Sequence, residues 1–407
     1  MGEALSVEKP PSSAVPPAKK KPAFSSKELK SLNRLLNVLQ ASASGEQLGE
    51  ISYQHCIIWK VLCCEIEGGA EPFRKLMKVM TKSSSGTGIL ERIWTEAERC
   101  DTVTVPEEFA QCRTAAIVIR CLIECTMALT VNNSGECDEA VRVCVTGMMG
   151  MIKRYISKSL SDPYSDEEVE VVAISFANFS EFCSDQAPQI PKVFETYFVS
   201  AAFSDIPNTT FIPFETPSLA QPSGIISSPT EILHLAFYRK ALQGRWNRLY
   251  TSNSDGFSFN RLVRSFNGYD GPLVFLIKTA VKTGQADVIA IFGDTKFKES
   301  NRFYGDSTVF LTKIQPNPRI FEANITSNKN YIWLNETGFG LPHGLGFGGE
   351  EKRGVESFRV FIPTSLEKCR ASTSCNCFED GCLLMNDQKY EQLFEIHTIE
   401  VWAGLST

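Results

Sequence analysis

The run LVFLIKTAV (273–281), followed after Lys282-Thr283-Gly284 by ADVIAIFG (286–293), decides the reading of the C-terminal half. Both runs are short and dense in β-branched and aromatic residues, and a glycine-containing turn separates them, which is the composition of paired strands. Runs of the same kind recur downstream: STVFLTKI (307–314), PRIFEA (318–323), NYIWLN (330–335), SFRVFI (357–362) and FEIHTIEVW (394–402). No helical stretch separates them, so the expectation is an antiparallel β-sandwich. Two short helices precede it. Ser228-Pro229-Thr230-Glu231 combines a cap, a first-turn proline and a glutamate three residues after the cap, with Ile232, Leu235 and Ala236 as the buried face. A second helix is expected over 258–266.

Upstream the period changes. Ser25 and Glu28 form a capping-box pattern, and Leu29, Leu32, Leu36 and Leu39 recur at helical steps. Similar stripes near 53–66, 71–80, 88–99, 107–129, 137–160, 166–183 and 190–203 predict an all-α domain of about seven or eight helices over 24–205. Residues 1–23, rich in proline and lysine, read as a disordered tail. Residues 206–227 hold four prolines and read as an extended linker. Its Phe211, Ile212, Phe214 and Ile225 predict that it lies against a neighbouring domain. The fold class is therefore α+β in two domains, with the sandwich over 228–407.

Bulk properties narrow the function. The 407 residues are 43% hydrophobic and 22% charged, with a formal net charge of −6. Phosphate binding needs lysine and arginine, so this balance argues against a dedicated nucleic-acid binder. Fourteen cysteines in this length fall well short of a disulfide scaffold. Several, such as Cys121 and Cys125, sit at apolar helical positions, and the expectation is a reduced, cytoplasmic protein. Neither a secretory leader nor a membrane-spanning run is visible in the chain.

The order of short motifs then resembles one family. Ser254-Asp255-Gly256-Phe257-Ser258-Phe259, the pair Phe292-Gly293, Phe303-Tyr304-Gly305-Asp306 with Phe310-Leu311, Asn330–Asn335, the segment Gly344-Leu345-Gly346-Phe347-Gly348-Gly349, and Glu400-Val401-Trp402 resemble the TLDc domain. The resemblance covers about 180 residues. It implies an antiparallel β-sandwich with flanking short helices, in which Gly293, Gly305, Asp306, Gly344, Gly346, Gly348, Gly349, Glu400 and Trp402 are structural motif positions. The helical half is similar to that of lysosome-associated, mTOR-linked and vacuolar TLDc proteins, whose helical region is partly EF-hand-like. The resemblance implies a non-catalytic regulatory protein without a cofactor. Its implied partner is the vacuolar-type proton ATPase, and its implied role lies in lysosomal regulation or oxidative-stress protection. Phe297 stands where the family often has tryptophan, and Ser357–Ile362 departs from the family's Gly-Leu-Trp strand.

Other candidates were weighed on chemistry. The glycine segment 338–349 lacks the helix that a phosphate cradle requires and reads as a hairpin or crossover. Cys369, Cys375, Cys377 and Cys382 are enough thiolates for a zinc site, but C-x-C is too tight for the usual knuckle. The expectation is ordinary loop thiols, the alternative an oxidisable thiol beside a cation, with Lys368 and Arg370 flanking Cys369. The acidic stretches 132–136 and 162–168 lack a full calcium-loop ligand set, so any EF-hand-like helices are expected to be calcium-free. His55, His234, His343 and His397 belong to no catalytic frame. Met1-Gly2 with Ser6 fits a myristoylation pattern at Gly2, and Lys19–Lys21 would add the second signal for peripheral membrane contact; Glu3 weighs against it.

Overall fold

A computed structural model describes residues 87–99, 105, 107–128, 138–157, 173–203, 214–281, 285–325, 329–338, 342–350, 357–384 and 391–404. The expectations for Gly2, the lysines, His55, the first helices and the two acidic stretches lie outside the described residues.

The chain has a helical part and a sandwich part. Five α-helices and a 3-10 helix (Glu107–Cys112) make up the described helical part: α1 (Thr87–Glu98), α2 (Arg113–Ala128), α3 (Asp138–Ser157), α4 (Phe176–Gln186) and α5 (Ile190–Phe203). Four of them follow the expected stripes. Of the stripe read over 166–183, residues 166–172 lie outside the described residues, and α4 begins at Phe176. Ser175 is extended there (φ −85°, ψ 161°) and its side chain accepts from the Asn178 backbone N–H, capping the helix. Trp94 stacks on Phe179 and Phe176 at 5.2 and 5.9 Å between ring centres, tying α1 to α4.

Among the described residues, twelve strands lie in two sheets. The larger has the order β1 (Ser218–Leu219), β2 (Arg245–Thr251), β12 (Ile396–Gly404), β3 (Leu273–Thr279), β4 (Val288–Gly293), β5 (Phe310–Gln315) and β6 (Arg319–Phe321). The smaller runs β11 (Glu391–Phe394), β10 (Cys369–Ser372), β9 (Val360–Pro363), β8 (Gly344–Phe347) and β7 (Ile332–Asn335). Pairing is antiparallel except between β1 and β2, which run parallel. Phe275, Ile277, Ile289, Ile291 and Leu311 of the large sheet share one core with Leu334, Leu345, Phe347, Val360 and Ile362 of the small one, which makes the sandwich.

The other face of the large sheet is covered too. Trp246, Val274, Leu276, Ala290, Phe292, Phe310 and Trp402 belong to the same core as Ile117, Met149, Phe182 and Phe194 of the helices. Successive strand residues point to opposite faces, so LVFLIKT, with six of its seven residues buried, serves both cores. Specific contacts fix the helical part on the sheet. Arg154 Nη1 donates to the Pro318 carbonyl at 3.0 Å, and Gln186 Nε2 and the Tyr238 hydroxyl both donate to Glu322, at 3.0 and 2.9 Å.

Residues 214–227 run along this junction. Phe214 is buried, faces Phe237 at 5.7 Å, and its N–H donates to Thr196 Oγ1. Ile225 and Ile226 enter the shared core. The capping box at Ser228 is formed, opening a 3-10 turn that leads into the short helix Leu233–Tyr238.

Candidate functional site

The motif positions fall into three places. At the first, β12 meets the chain at 223–224. Glu400 is fully buried, and its carboxylate accepts from Ser223 Oγ at 2.6 Å, the Gly224 N–H at 2.7 Å and Trp402 Nε1 at 3.0 Å. Arg248 lies over the Trp402 ring at 5.7 Å. A buried carboxylate must be hydrogen-bonded to be tolerated, and these three donors meet that need from inside the fold. At the second, Gly293 ends β4 against Phe297, and Gly305 and Asp306 shape the turn before β5, where Asp306 Oδ1 accepts from the Thr308 N–H at 2.9 Å.

The third is the glycine strand β8, held antiparallel between β7 and β9. It is flat against aromatic rings: a Cβ on Gly346 would lie 2.3 Å from Phe358 Cε1. Phe358, Phe361, Trp333 and Phe303 form a separate aromatic cluster beside it. Backbone N–H groups here are spent on strand pairing, so the segment is a packing surface rather than a phosphate cradle.

Next to this strand sits a cluster that the motifs did not mark. Arg359 is wholly buried (0% exposed). Its N–H donates to the carbonyls of Phe347 and Gly348, and Nη2 donates to the Gly381 carbonyl at 2.6 Å and to that of Glu379 at 3.4 Å. Its Nε and Nη1 have no partner among the described residues. The guanidinium lies 5.1 Å from the centre of the Phe321 ring, which Arg319 also covers at 4.6 Å. Burial pulls the Arg359 guanidinium down to about 10, and the negative charge of Cys375 is the largest influence opposing that. In turn, a hydrogen bond from the Cys377 thiol, the charge of Arg359 and the N–H groups of Cys377 and Phe378 hold the Cys375 thiol down to about 7, against the effect of burial. The Cys377 N–H reaches Cys375 Sγ at 3.4 Å. Cys377 Sγ itself lies 3.3 Å from the Asn330 carbonyl and 3.4 Å from the Gly349 N–H.

Of the four cysteines in the C-x5-C-x-C-x4-C cluster, the structure thus pairs Cys375 with Cys377. Among the described residues, no three His, Cys, Asp or Glu side chains form a group able to hold a metal ion. Cys369, the thiol flanked by Lys368 and Arg370, is fully buried, and burial pushes it up to about 12. The thiol beside a cation is Cys375, and the cation is Arg359. The sequence signal for it was the lone charge inside the apolar run SFRVFI. His343 and His397 are exposed, bonded to the Gly338 carbonyl and Thr398 Oγ1 respectively. His234 is buried, its Nε2 without a partner, and burial holds it down to about 4.

The sandwich with its buried glutamate–tryptophan contact and glycine strand defines the class of domain. Residues 220–404 match the TLDc domain model, so this part of the chain is a TLDc domain. The match begins inside the 206–227 stretch, at the segment that supplies Ser223 and Gly224 to Glu400. The chain is similar to mTOR-associated protein MEAK7 of Xenopus laevis, 29% identical over 175 residues, 42% of this chain and 35% of the relative. It is 26% identical to the human MEAK7 protein over 161 residues, 39% of this chain and 32% of the relative. Oxidation resistance protein 1 of Bos taurus is 27% identical over 192 residues, 46% of this chain and 19% of that protein. The matched segment therefore spans about a third of the length of the MEAK7 proteins and about a fifth of oxidation resistance protein 1. No described helix is long and apolar enough to cross a membrane.

Proposed function

We propose that this protein is a non-catalytic regulator that acts by docking its TLDc sandwich onto a protein partner, the vacuolar-type proton ATPase, in lysosomal or vacuolar regulation or oxidative-stress protection. The observation that carries this reading is where the motif side chains are spent. Both oxygens of Glu400 are taken by Ser223, Gly224 and Trp402, and the glycine strand is closed over by Phe358. Residues used this way shape a surface and perform no chemistry. Relatives named for mTOR association and for oxidation resistance support regulation by contact. Membrane attachment would be peripheral, through Gly2 and Lys19–Lys21. The domain division expected from sequence, 24–205 and 228–407, is retained as a proposal with the 214–227 segment assigned to the sandwich.

The test is capture of detergent-solubilised lysosomal membrane proteins on the immobilised full-length chain, with vacuolar ATPase subunits quantified by mass spectrometry. Enrichment that is lost when the sandwich is unfolded and kept in His343→Ala and His397→Ala supports the reading. Failure to recover any ATPase subunit overturns it. A second reading, a cysteine-based protein of peroxide defence, is favoured by one observation, the Cys375 thiol held beside the buried Arg359.

A further inference from the structure

We propose that Cys375 and Cys377 form a peroxide-responsive thiol pair, in which Cys375 is the attacking sulfur, Cys377 the resolving one, and Arg359 the residue that holds the attacking thiolate. The proposal rests on the second reading above and does not depend on the docking partner.

Three observations converge on this pair. Arg359 is a fully buried cation whose Nε and Nη1 donate to nothing described. A buried charge is costly without opposite charge near it; Cys375, Asp380 and Cys382 all favour the charged guanidinium, and the influence of Cys375 is the largest of the three. Cys375 is partly exposed, whereas Cys369, Cys377 and Cys382 are buried. Lastly, the Cys377 N–H reaches Cys375 Sγ at 3.4 Å, which places the second cysteine beside the first. Residues two apart lie at most about 7 Å from each other, and a slight bend brings them within the roughly 4.4–6.8 Å that a disulfide spans.

The chemistry is a two-electron oxidation by a hydroperoxide. The Cys375 thiolate attacks one peroxide oxygen; a sulfur–oxygen bond forms as the O–O bond breaks. The leaving hydroxide or alkoxide takes a proton from water, and Cys375 becomes a sulfenic acid. Cys377 then attacks that sulfur, forming the S–S bond as the S–O bond breaks. The departing hydroxyl leaves as water with the Cys377 proton. The two thiols have supplied both electrons, and an external dithiol reverses the step by exchange.

Oxidation also has a structural readout. The Cys377 sulfur now lies against the Asn330 carbonyl and the Gly349 N–H, and Asn376 reaches Glu350 at 2.9 Å. Drawing Cys377 toward Cys375 removes the Gly349 contact, so the end of the glycine strand is the element that oxidation loosens.

The experiment uses the reduced full-length chain treated with hydrogen peroxide, then alkylated and mapped by peptide mass. The expected product is one peptide carrying a Cys375–Cys377 disulfide, reversed by dithiothreitol. In Cys377→Ser, dimedone should label Cys375; in Cys375→Ser, neither label nor cross-link should form at this peptide. Iodoacetamide labelling of Cys375 in the untreated protein should rise with a midpoint near pH 7, and Arg359→Lys, which keeps the charge, should preserve a midpoint well below that of a free thiol, about 8.5. Peroxide products at Cys369 or Cys382 in place of Cys375, an unlabelled Cys375 in Cys377→Ser, or a labelling midpoint above 8 would overturn the proposal. Because these readouts use the isolated chain, their failure leaves the capture result for the ATPase untouched.

Discussion

Adding one methyl group at Gly346 tests whether β8 is a packing surface. The new Cβ would lie 2.3 Å from Phe358 Cε1 and 2.4 Å from Cδ1. Carbon atoms meet comfortably at about 3.5 Å, so the ring must retreat by about 1.2 Å. It has little room: Phe361 stands 4.9 Å away between ring centres, Phe303 5.4 Å and Trp333 6.3 Å. Forcing extra carbon into a filled site costs about 1–3 kcal/mol, offset by about 0.4–1 kcal/mol from the stiffer unfolded chain. The expected net loss for Gly346→Ala is therefore about 1–2 kcal/mol, read from urea unfolding midpoints. The cause is checked by a double-mutant cycle with Phe358→Leu, which takes away the ring that the methyl strikes. The double variant should be more stable than the sum of the single effects predicts, by about 1 kcal/mol. Strict additivity would show that the ring contact is not what excludes a side chain at this position.

His234 makes the protein acid-sensitive. Burial holds its folded value near 4 against an ordinary 6.5, so the unfolded chain binds the proton first and stability falls as pH drops between those values; by pH 4.5 the loss should be on the order of 2–3 kcal/mol, and His234→Leu should flatten that part of the profile. Trp402→Ala removes a fully buried ring and one of the donors to Glu400; a loss of about 3–5 kcal/mol is expected, measurable as a lower melting temperature with peroxide chemistry at Cys375 intact. A fragment of residues 214–404 should expose Val274, Leu276, Phe292 and Phe310, now covered in the core shared with the helices. It should therefore bind an apolar dye and self-associate; a monodisperse, dye-negative fragment would refute the shared core.

The sandwich was legible because its strands are rich in β-branched and aromatic residues and broken by glycine, proline and asparagine. Its surroundings were legible only in part. A strand exposed on one face alternates apolar and polar residues, whereas LVFLIKT and VIAIFG do not. That absence of alternation already implied a second cover, which the helices supply. The prolines of 206–227 spoke for a linker, yet Phe214 and Ile225 are apolar residues that only burial explains, and both are buried. Within the stripe at 166–183 the described helix begins at Phe176, because a serine that can cap a helix also begins one, as Ser175 does.

The candidate site shows where sequence distance fails as a guide to chemistry. Lys368 and Arg370 adjoin Cys369, but neighbours along a strand point to opposite faces, so they cannot serve a thiol turned into the core. The cation that matters comes from the adjoining strand, since Arg359 lies opposite Ser372, whose N–H donates to the Arg359 carbonyl. From there the chain turns, and three residues later Cys375 comes within electrostatic reach of the guanidinium. The arginine was visible as the one charge in SFRVFI; its counter-charge was not, because the thiol sits on a loop whose path no periodicity encodes. A charge placed in an apolar strand has to be balanced by something in space. Here Cys375, with a second cysteine beside it, acts with Asp380 and Cys382 to balance the charge, and it is this meeting of thiol and cation, rather than the spacing of the four cysteines, on which the proposed chemistry rests.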